Sequence, residues 1–301
     1  MPIALLLAVP LTRAPYILSF SFLLLIYLTL AESYDVLSGY SGYMNLGHVC
    51  FFAIGGYTLA VIVTKFSSFP LALAFLLSPL SATIFALFIS YPLFRLRGAY
   101  FAIASLALGI LLYYIFVNPS FDWLAGGMRG LMINTSENRS IISYYLAVSI
   151  AIIAILTHYS IPKTKLGLAL LAIKDNEDVA KTFGIAPYRA KTQALVISAS
   201  IAGFAGGVYV YGIGYVNPLT VLNTEILLTP VVMTLIGGTG IYSGPLTGAV
   251  LLMIIQEVLW VKITHFHLFI YGLILVLVGL FMPGGLLRQT QIQKIITRLK
   301  G

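Results

Sequence analysis

Charge in this chain is segregated, and that feature limits the possible folds more than any other. Between its charged residues lie eight long uncharged runs: 14–31, 36–64, 66–94, 98–121, 140–162, 192–224, 226–256 and 263–287. A helix rises about 1.5 Å per residue, so crossing a hydrocarbon core of about 30 Å takes about 20 apolar residues. Every run except 14–31 exceeds that length, and 14–31 comes close. Helices of a soluble core need charged outer faces, and these runs have none. Only 9% of residues are charged and 60% are hydrophobic, against roughly a quarter charged in soluble domains. The sequence therefore predicts an all-α, polytopic transmembrane helix bundle, multi-pass in the lipid bilayer.

Two runs hold more than one element. Residues 226–256 are interrupted by the turn-rich stretch Gly237 to Pro245, which predicts one span near 224–239 and another near 244–262. Residues 36–64 carry Gly39, Gly42, Asn45, Gly47 and His48 in their first half, which predicts a broken or re-entrant segment before a cleaner helix. The expected count is nine spans, within a range of eight to ten, in a single domain over 1–301. Twelve of the 17 basic residues fall at Arg95 and Arg97, in 160–191, and in the tail 286–301. Basic loops face the cytoplasm, so that side and the C-terminus are expected there and the N-terminus outside. The same rule accounts for the net charge of +8 without any nucleic-acid partner. The first twelve residues lack a charged n-region and a small-residue cleavage site and read as mature protein. Cys50, the single cysteine, has no partner for an internal disulfide and reads as a small packing residue.

One interior segment is long, polar and charged: 160–191, with Lys163, Lys165, Lys174, Asp175, Glu177, Asp178, Lys181, Arg189 and Lys191. Within it Ala172, Ile173, Asn176, Val179, Ala180 and Phe183 recur at helical spacing, Gly184 stands where a helix stops, and Pro187 follows. A short helix, a glycine stop and a bend into the next span are expected. An ordinary solvated loop is one reading. The other is a docking element, favoured by its length, its own stop signal and an apolar face with nothing to cover it. The opposite loop, 119–139, mixes Asp122, Trp123, Arg129 and Asn134 with glycines and suits a membrane–water boundary.

Small residues let helices approach closely in a membrane. Gly203 and Gly207 form one GxxxG pair, and Gly240, Gly244 and Gly248 form a longer series. Both read first as packing within the chain and second as contact with another subunit. Ionisable groups inside spans are costly and mark pathways. Glu225 and Glu257 are the candidates; both are expected near the outer interface, Glu257 beside Lys262. Asn45 and His48 are open to two readings, a hydrogen-bonded turn or the lining of a polar passage along with Gly42. His265 and His267 are expected at an interface, with no carboxylate or cysteine to complete a metal site.

No Gly-Lys pair occurs, so a phosphate-binding loop is absent. No H-E-x-x-H, no G-x-S-x-G and no catalytic carboxylate pair within a span is present. The expectation is a non-enzymatic chain with no catalytic residue, no metal and no cofactor of its own. A self-sufficient channel or facilitator stays open at this point.

Four stretches then carry a family resemblance: Leu37 to His48 running on to Tyr57; Arg95 to Ala104; Ala172 to Asp178 with Ala180 and Gly184-Ile185; and Leu235 to Gly240 followed by Ser243 to Gly248. In this order, reaching from about residue 33 to 285, the chain resembles the LivM-type permeases of branched-chain amino-acid ABC importers. The third stretch is similar to the EAA-x-x-x-G coupling pattern of ABC permeases, with Asp178-Val179-Ala180 and then Gly184. Asp replaces Glu and Val replaces the first Ala. The resemblance implies a cytoplasmic coupling helix with Lys174, Asp175, Glu177, Asp178, Ala180 and Gly184 as its ATPase-coupling residues. It further implies a second homologous permease subunit, two ABC ATPase subunits that use ATP, an extracytoplasmic substrate-binding protein, and a plasma-membrane location. The expected cargo is branched-chain or other hydrophobic amino acids, with urea, short amides or other amino acids as the alternative. The translocation path is expected at Gly42, Asn45 and His48.

Overall fold

A computed structural model describes residues 15–66, 68–133 and 138–262, with side chains up to residue 257, and the isolated positions 273 and 285. Nine long helices form the described bundle, α1 (Pro15–Ser41), α2 (His48–Lys65), α3 (Leu71–Leu93), α4 (Ala99–Val117), α5 (Arg139–Ser160), α6 (Lys165–Thr182), α7 (Pro187–Ile213), α8 (Thr224–Gly237) and α9 (Ser243–Lys262), besides the single helical turns Asp122–Ala125 and Pro218–Val221. Helix is the expected solution, because a chain in hydrocarbon must satisfy its backbone polar groups internally. Among the described residues, seven segments are long and apolar enough to cross a membrane: α1 to α4, α5 extended to Lys163, α7, and α8 with the turn Pro218–Val221 that precedes it. The ninth expected span, 263–287, and the tail 286–301 lie outside the described residues, as do His265 and His267.

The first boundary departs from the sequence reading. Glu32 and Asp35 separate two uncharged runs, yet α1 passes through both and ends only at Ser41. Both carboxylates are fully buried against protein, so they do not end the span. The expected break is present but short: residues 42–47 separate α1 from α2.

Helix α7 is the central post. It packs against α1, α2, α3, α5 and α6, while α8 and α9 form a hairpin leaning on α1. Glycine makes the closest approaches possible. A Cβ on Gly206 would stand 1.9 Å from the Phe52 carbonyl oxygen, and one on Gly203 would stand 2.4 Å from the Ala82 Cβ. The Gly203–Gly207 pair therefore packs within this chain, on α2 and α3. Gly248 likewise meets the Met233 carbonyl of α8. Gly240 corrects the expected series: it lies in the α8–α9 turn at φ +75°, not on a helix face with Gly244 and Gly248. Cys50 is fully buried in the core, in keeping with a packing role.

The bundle has two distinct ends. One gathers the 42–47 break, the α3–α4 turn, α6 and the α8–α9 turn, joined by Arg97–Asp178, Lys174–Gly39 and Gly240–Asp35 contacts. The other gathers the loop between α4 and α5, where β1 (Leu131–Met132) pairs antiparallel with β2 (Tyr215–Val216) and Lys65 lies over the Trp123 ring. Large apolar side chains of α3 and α4, among them Phe88, Ile103 and Tyr114, point outward as a lipid-exposed helix requires.

Candidate functional site

The break between α1 and α2 is held on every side. Gly42 leaves α1 at φ +74°, a conformation that a side chain strains, and the Lys174 Cγ lies 3.3 Å from where its Cβ would be. Asn45 closes an Asx turn by accepting from the Gly47 N–H at 3.2 Å, and its own N–H donates to the Ser38 hydroxyl. The Leu46 N–H donates to the Ser105 Oγ of α4 at 3.0 Å. His48 opens α2 with its Nε2 at 2.9 Å from Ser33 Oγ and its Nδ1 at 3.4 Å from Ser198 Oγ. Asn45 and His48 are both buried. Of the two readings left open, the hydrogen-bonded turn describes this geometry directly.

Helix α6 is two helices joined at a kink. Asn176 is extended (φ −161°, ψ 110°), and its Oδ1 accepts from the Asp178 and Val179 N–H groups at 3.0 and 3.1 Å. It thus caps a second, shorter helix that begins at Glu177. That piece stops as expected at Gly184, φ +80°: the Ile185 N–H reaches the Ala180 carbonyl and the Gly184 N–H reaches the Lys181 carbonyl. Both bonds belong to a Schellman stop.

An ionic network ties this piece to the bundle. Glu177 accepts from the Tyr43 hydroxyl and from Lys191 Nζ at 3.1 Å, and lies 3.9 Å from Arg97. Arg97 grips Asp178 with two bonds of 3.0 and 3.1 Å, and Lys181 adds a third at 3.1 Å. Burial alone would raise the Glu177 carboxyl, but the Tyr43 and Lys191 hydrogen bonds outweigh it and hold the group below its usual value. The Arg97 hydrogen bonds hold Asp178 down too, and Asp178 in turn raises Arg97. Burial, and then the Glu177 carboxylate, push the Tyr43 hydroxyl well above its usual range.

The apolar face expected to lie uncovered is split. Ile173 and Ala180 are buried on this chain's own core, whereas Val179 and Phe183 project, Phe183 with 82% of its surface exposed. Lys174 also turns toward the bundle, donating to the Gly39 carbonyl at 2.6 Å. Asp175 is exposed.

The sequence reading missed the most buried charges. His158 of α5 sits between two α1 carboxylates: its Nδ1 contacts Glu32, and its Nε2 faces Asp35 Oδ2 at 3.2 Å. All three side chains are fully buried. Asp35 Oδ2 also accepts from the Gly240 N–H at 2.7 Å. A sequence signal existed: Glu32 and Asp35 are three apart, hence on one face of a continuous helix. Glu225 and Glu257, chosen instead, line a cleft of about 340 Å³ with Tyr16, Tyr27 and Gln256 at the other end of the bundle. Glu257 accepts from the Tyr16 hydroxyl and Glu225 from Gln256; the side chain of Lys262 lies outside the described residues. A second cleft, about 410 Å³ and mostly apolar, runs beside the break and is lined by Leu46, Val49, Leu106, Gly109, Tyr113 and Leu227 among others. Among the described residues no group of three His, Cys, Asp or Glu is placed to hold a metal ion.

Residues 16–279 match the family described as branched-chain amino acid transport system / permease component. The chain is 26% identical over 303 residues to the high-affinity branched-chain amino acid transport system permease protein LivM of Escherichia coli strain K12, covering 90% of this chain and 70% of that protein. It is 27% identical over 301 residues to the protein of the same name from Salmonella typhimurium strain LT2, covering 89% and 69%. No solved structure matches.

Proposed function

The chain belongs to the family of branched-chain amino acid transport system permease components, and from that premise we propose that it is a permease subunit of an ATP-driven ABC importer in the plasma membrane. Its single domain, 1–301, crosses the bilayer nine times, with the α6 end and the tail 286–301 in the cytoplasm. The basic residues Arg97, Lys174, Lys181 and Lys191 gathered at that end favour this orientation. The cargo is a branched-chain or similar hydrophobic amino acid, delivered by an extracytoplasmic binding protein. A second homologous permease subunit shares the path, and two ATPase subunits consume the ATP.

The observation that carries this reading is the construction of α6. A short helix, capped at Asn176 and stopped at Gly184, presents Val179 and Phe183 outward while its charged root is clamped to Tyr43, Arg97 and Lys191. An apolar knob on a rigid, anchored helix suits insertion into a partner's groove and transmits that partner's movement as a rigid body. Glu177 links it directly to Tyr43 in the 42–47 break, so a displacement of α6 acts first on the joint between α1 and α2.

That joint borders the mostly apolar cleft lined by Leu46, Val49 and Leu227, which is our candidate for this subunit's share of the path. Aliphatic walls beside unwound backbone fit an aliphatic side chain with a polar head group. Gly42, Asn45 and His48 then shape the path as the bend of the break. ATP binding shifts the population between outward-open and inward-open arrangements.

The test is co-purification. Phe183→Asp and Gly184→Pro should each abolish association with the ATPase subunits while the chain remains membrane-inserted. ATPases retained at the wild-type level in both variants, or cargo flux through the purified chain alone without ATP, would overturn the reading in favour of a facilitator.

A further inference from the structure

Helices α3 and α4 meet at the α6 end of the bundle, where Phe94 stacks on Phe101 with ring centres 5.6 Å apart. Beyond that point both lean on α2 and scarcely touch each other. A cleft of about 340 Å³ lies between them, lined by Tyr57 and Val61 of α2, Phe85 of α3, Leu112 and Phe116 of α4, and Leu124 of the outer turn, among others. Its walls belong to helices whose outer faces carry exposed Ile84, Phe88, Leu111 and Tyr114, so they face lipid.

One polar atom of the lining is unexplained. Tyr57 is 4% exposed and packs on Phe116 with ring centres 4.2 Å apart, yet its hydroxyl has no hydrogen-bond partner among the described residues. A buried hydroxyl without a partner is costly, most of all where no water can serve it. Thr58, the neighbouring hydroxyl, is by contrast satisfied by the Ile54 carbonyl and Ser81 Oγ. Next to Leu124, Trp123 is exposed and carries Lys65 Nζ over its ring at 5.4 Å. Lys65 ends α2 and is itself exposed, while Asp122 of the same turn lies against Gly127. The positive charge at this edge is therefore Lys65.

Apolar walls, a lone hydroxyl donor and an aromatic–cation pair match the acyl chain, ester carbonyl and phosphate of a membrane lipid. No carboxylate lines the cleft to hold the ammonium group of an amino acid. We propose that this cleft binds one glycerophospholipid from the leaflet opposite the α6 end. An acyl chain lies between α3 and α4, the Tyr57 hydroxyl donates to an ester carbonyl, and Lys65 takes the phosphate. The lipid backs α4 at Leu112 and Phe116, on the helix that also gives Leu106, Gly109 and Tyr113 to the cleft beside the break. Any effect on uptake rests on that cleft being the path; the binding itself does not.

The experiment uses the full chain, purified and delipidated in detergent, without ATPases. It is titrated with dioleoylphosphatidylglycerol and followed by native mass spectrometry and thermal unfolding. Wild type should take up one phospholipid ahead of non-specific binding and melt higher with it. Tyr57→Phe deletes an unpartnered hydroxyl, so the lipid-free chain should melt no lower than wild type. Its affinity for the phospholipid should fall about tenfold, the loss of one hydrogen bond. Leu112→Trp fills the cleft and should abolish the bound equivalent; should it fail to fold, Tyr57→Phe decides alone. Dioleoylglycerol, with the same chains and no phosphate, should bind wild type more weakly, and Lys65→Met should lower phospholipid binding to that level. Wild-type affinity in Tyr57→Phe or in folded Leu112→Trp overturns the site. Dioleoylglycerol binding as tightly as the phospholipid overturns the part assigned to Lys65.

Discussion

Lys191, one turn into α7 and 1% exposed, reaches Glu177 of α6 at 3.1 Å, with the Tyr43 hydroxyl bonded to both. The contact joins the charged root of α6 to the central post of the bundle, and Tyr43 brings in the break between α1 and α2. A charge on an apolar post needs such a partner, because a lone buried ammonium is expensive.

Two outcomes follow for this pair. Lys191→Met should destabilise the protein by on the order of 2 kcal/mol, because Glu177 keeps its burial and loses a charged donor; thermal unfolding in detergent reads this. The Glu177 pKa is lowered in the folded state from 4.5, so its contribution is full above about pH 4.5 and is lost as pH falls through the lowered value. The stability gap between wild type and Glu177→Gln should accordingly be constant near neutral pH and close in acid. A gap that widens toward acid would contradict the sign.

Asn176→Ala removes the side-chain cap of the second piece of α6 and should cost about 1 kcal/mol. The loss should be local: hydrogen exchange at 177–182 should speed up while α7 stays protected. Uniform acceleration across the bundle would show that the kink is not an independent joint.

Gly206 and Gly184 are both glycines, but substitution should affect them differently. Gly206→Val drives a side chain into the Phe52 carbonyl, 1.9 Å from the new Cβ, and should cost at least about 3 kcal/mol and prevent accumulation of folded protein. Gly184→Ala meets nothing within 4 Å and pays only for its φ of +80°, about 1 kcal/mol. Membrane-fraction yield and melting temperature distinguish the two.

If the mostly apolar cleft beside the break belongs to the path, Gly109→Phe should fill it. A Cβ at Gly109 would touch Val49 Cγ1 at 3.7 Å and Cys50 Sγ at 3.9 Å, ordinary contact distances, so a side chain can start there without a clash and extend into the cleft. Uptake should fall at least about tenfold, consistent with a blocked site, while ATPase association is unchanged. Undiminished uptake would place the path elsewhere.

The length of the uncharged runs foretold most of the helices, and Gly184 foretold the end of α6. Those signals are local: a run long enough to span, or a glycine where φ turns positive, acts through its own neighbours. The boundary at Glu32 and Asp35 was not legible. A carboxylate in a sequence looks like the end of a span unless its partner is known, and His158 lies 126 residues from Glu32. Gly240 misled for a related reason, since a GxxxG series assumes one continuous helix and the turn interrupts it.

The sequence by itself determined that this chain is a bundle of membrane helices with one charged, capped projection, because apolar length, backbone self-satisfaction and glycine conformation are properties of short segments. Only the tertiary structure decided which charges are buried, that Lys174 bonds the Gly39 carbonyl, and that Glu177 joins α6 to the break. Those facts depend on charges from distant segments meeting where water is excluded, and the energy of a buried charge is set by what packs against it.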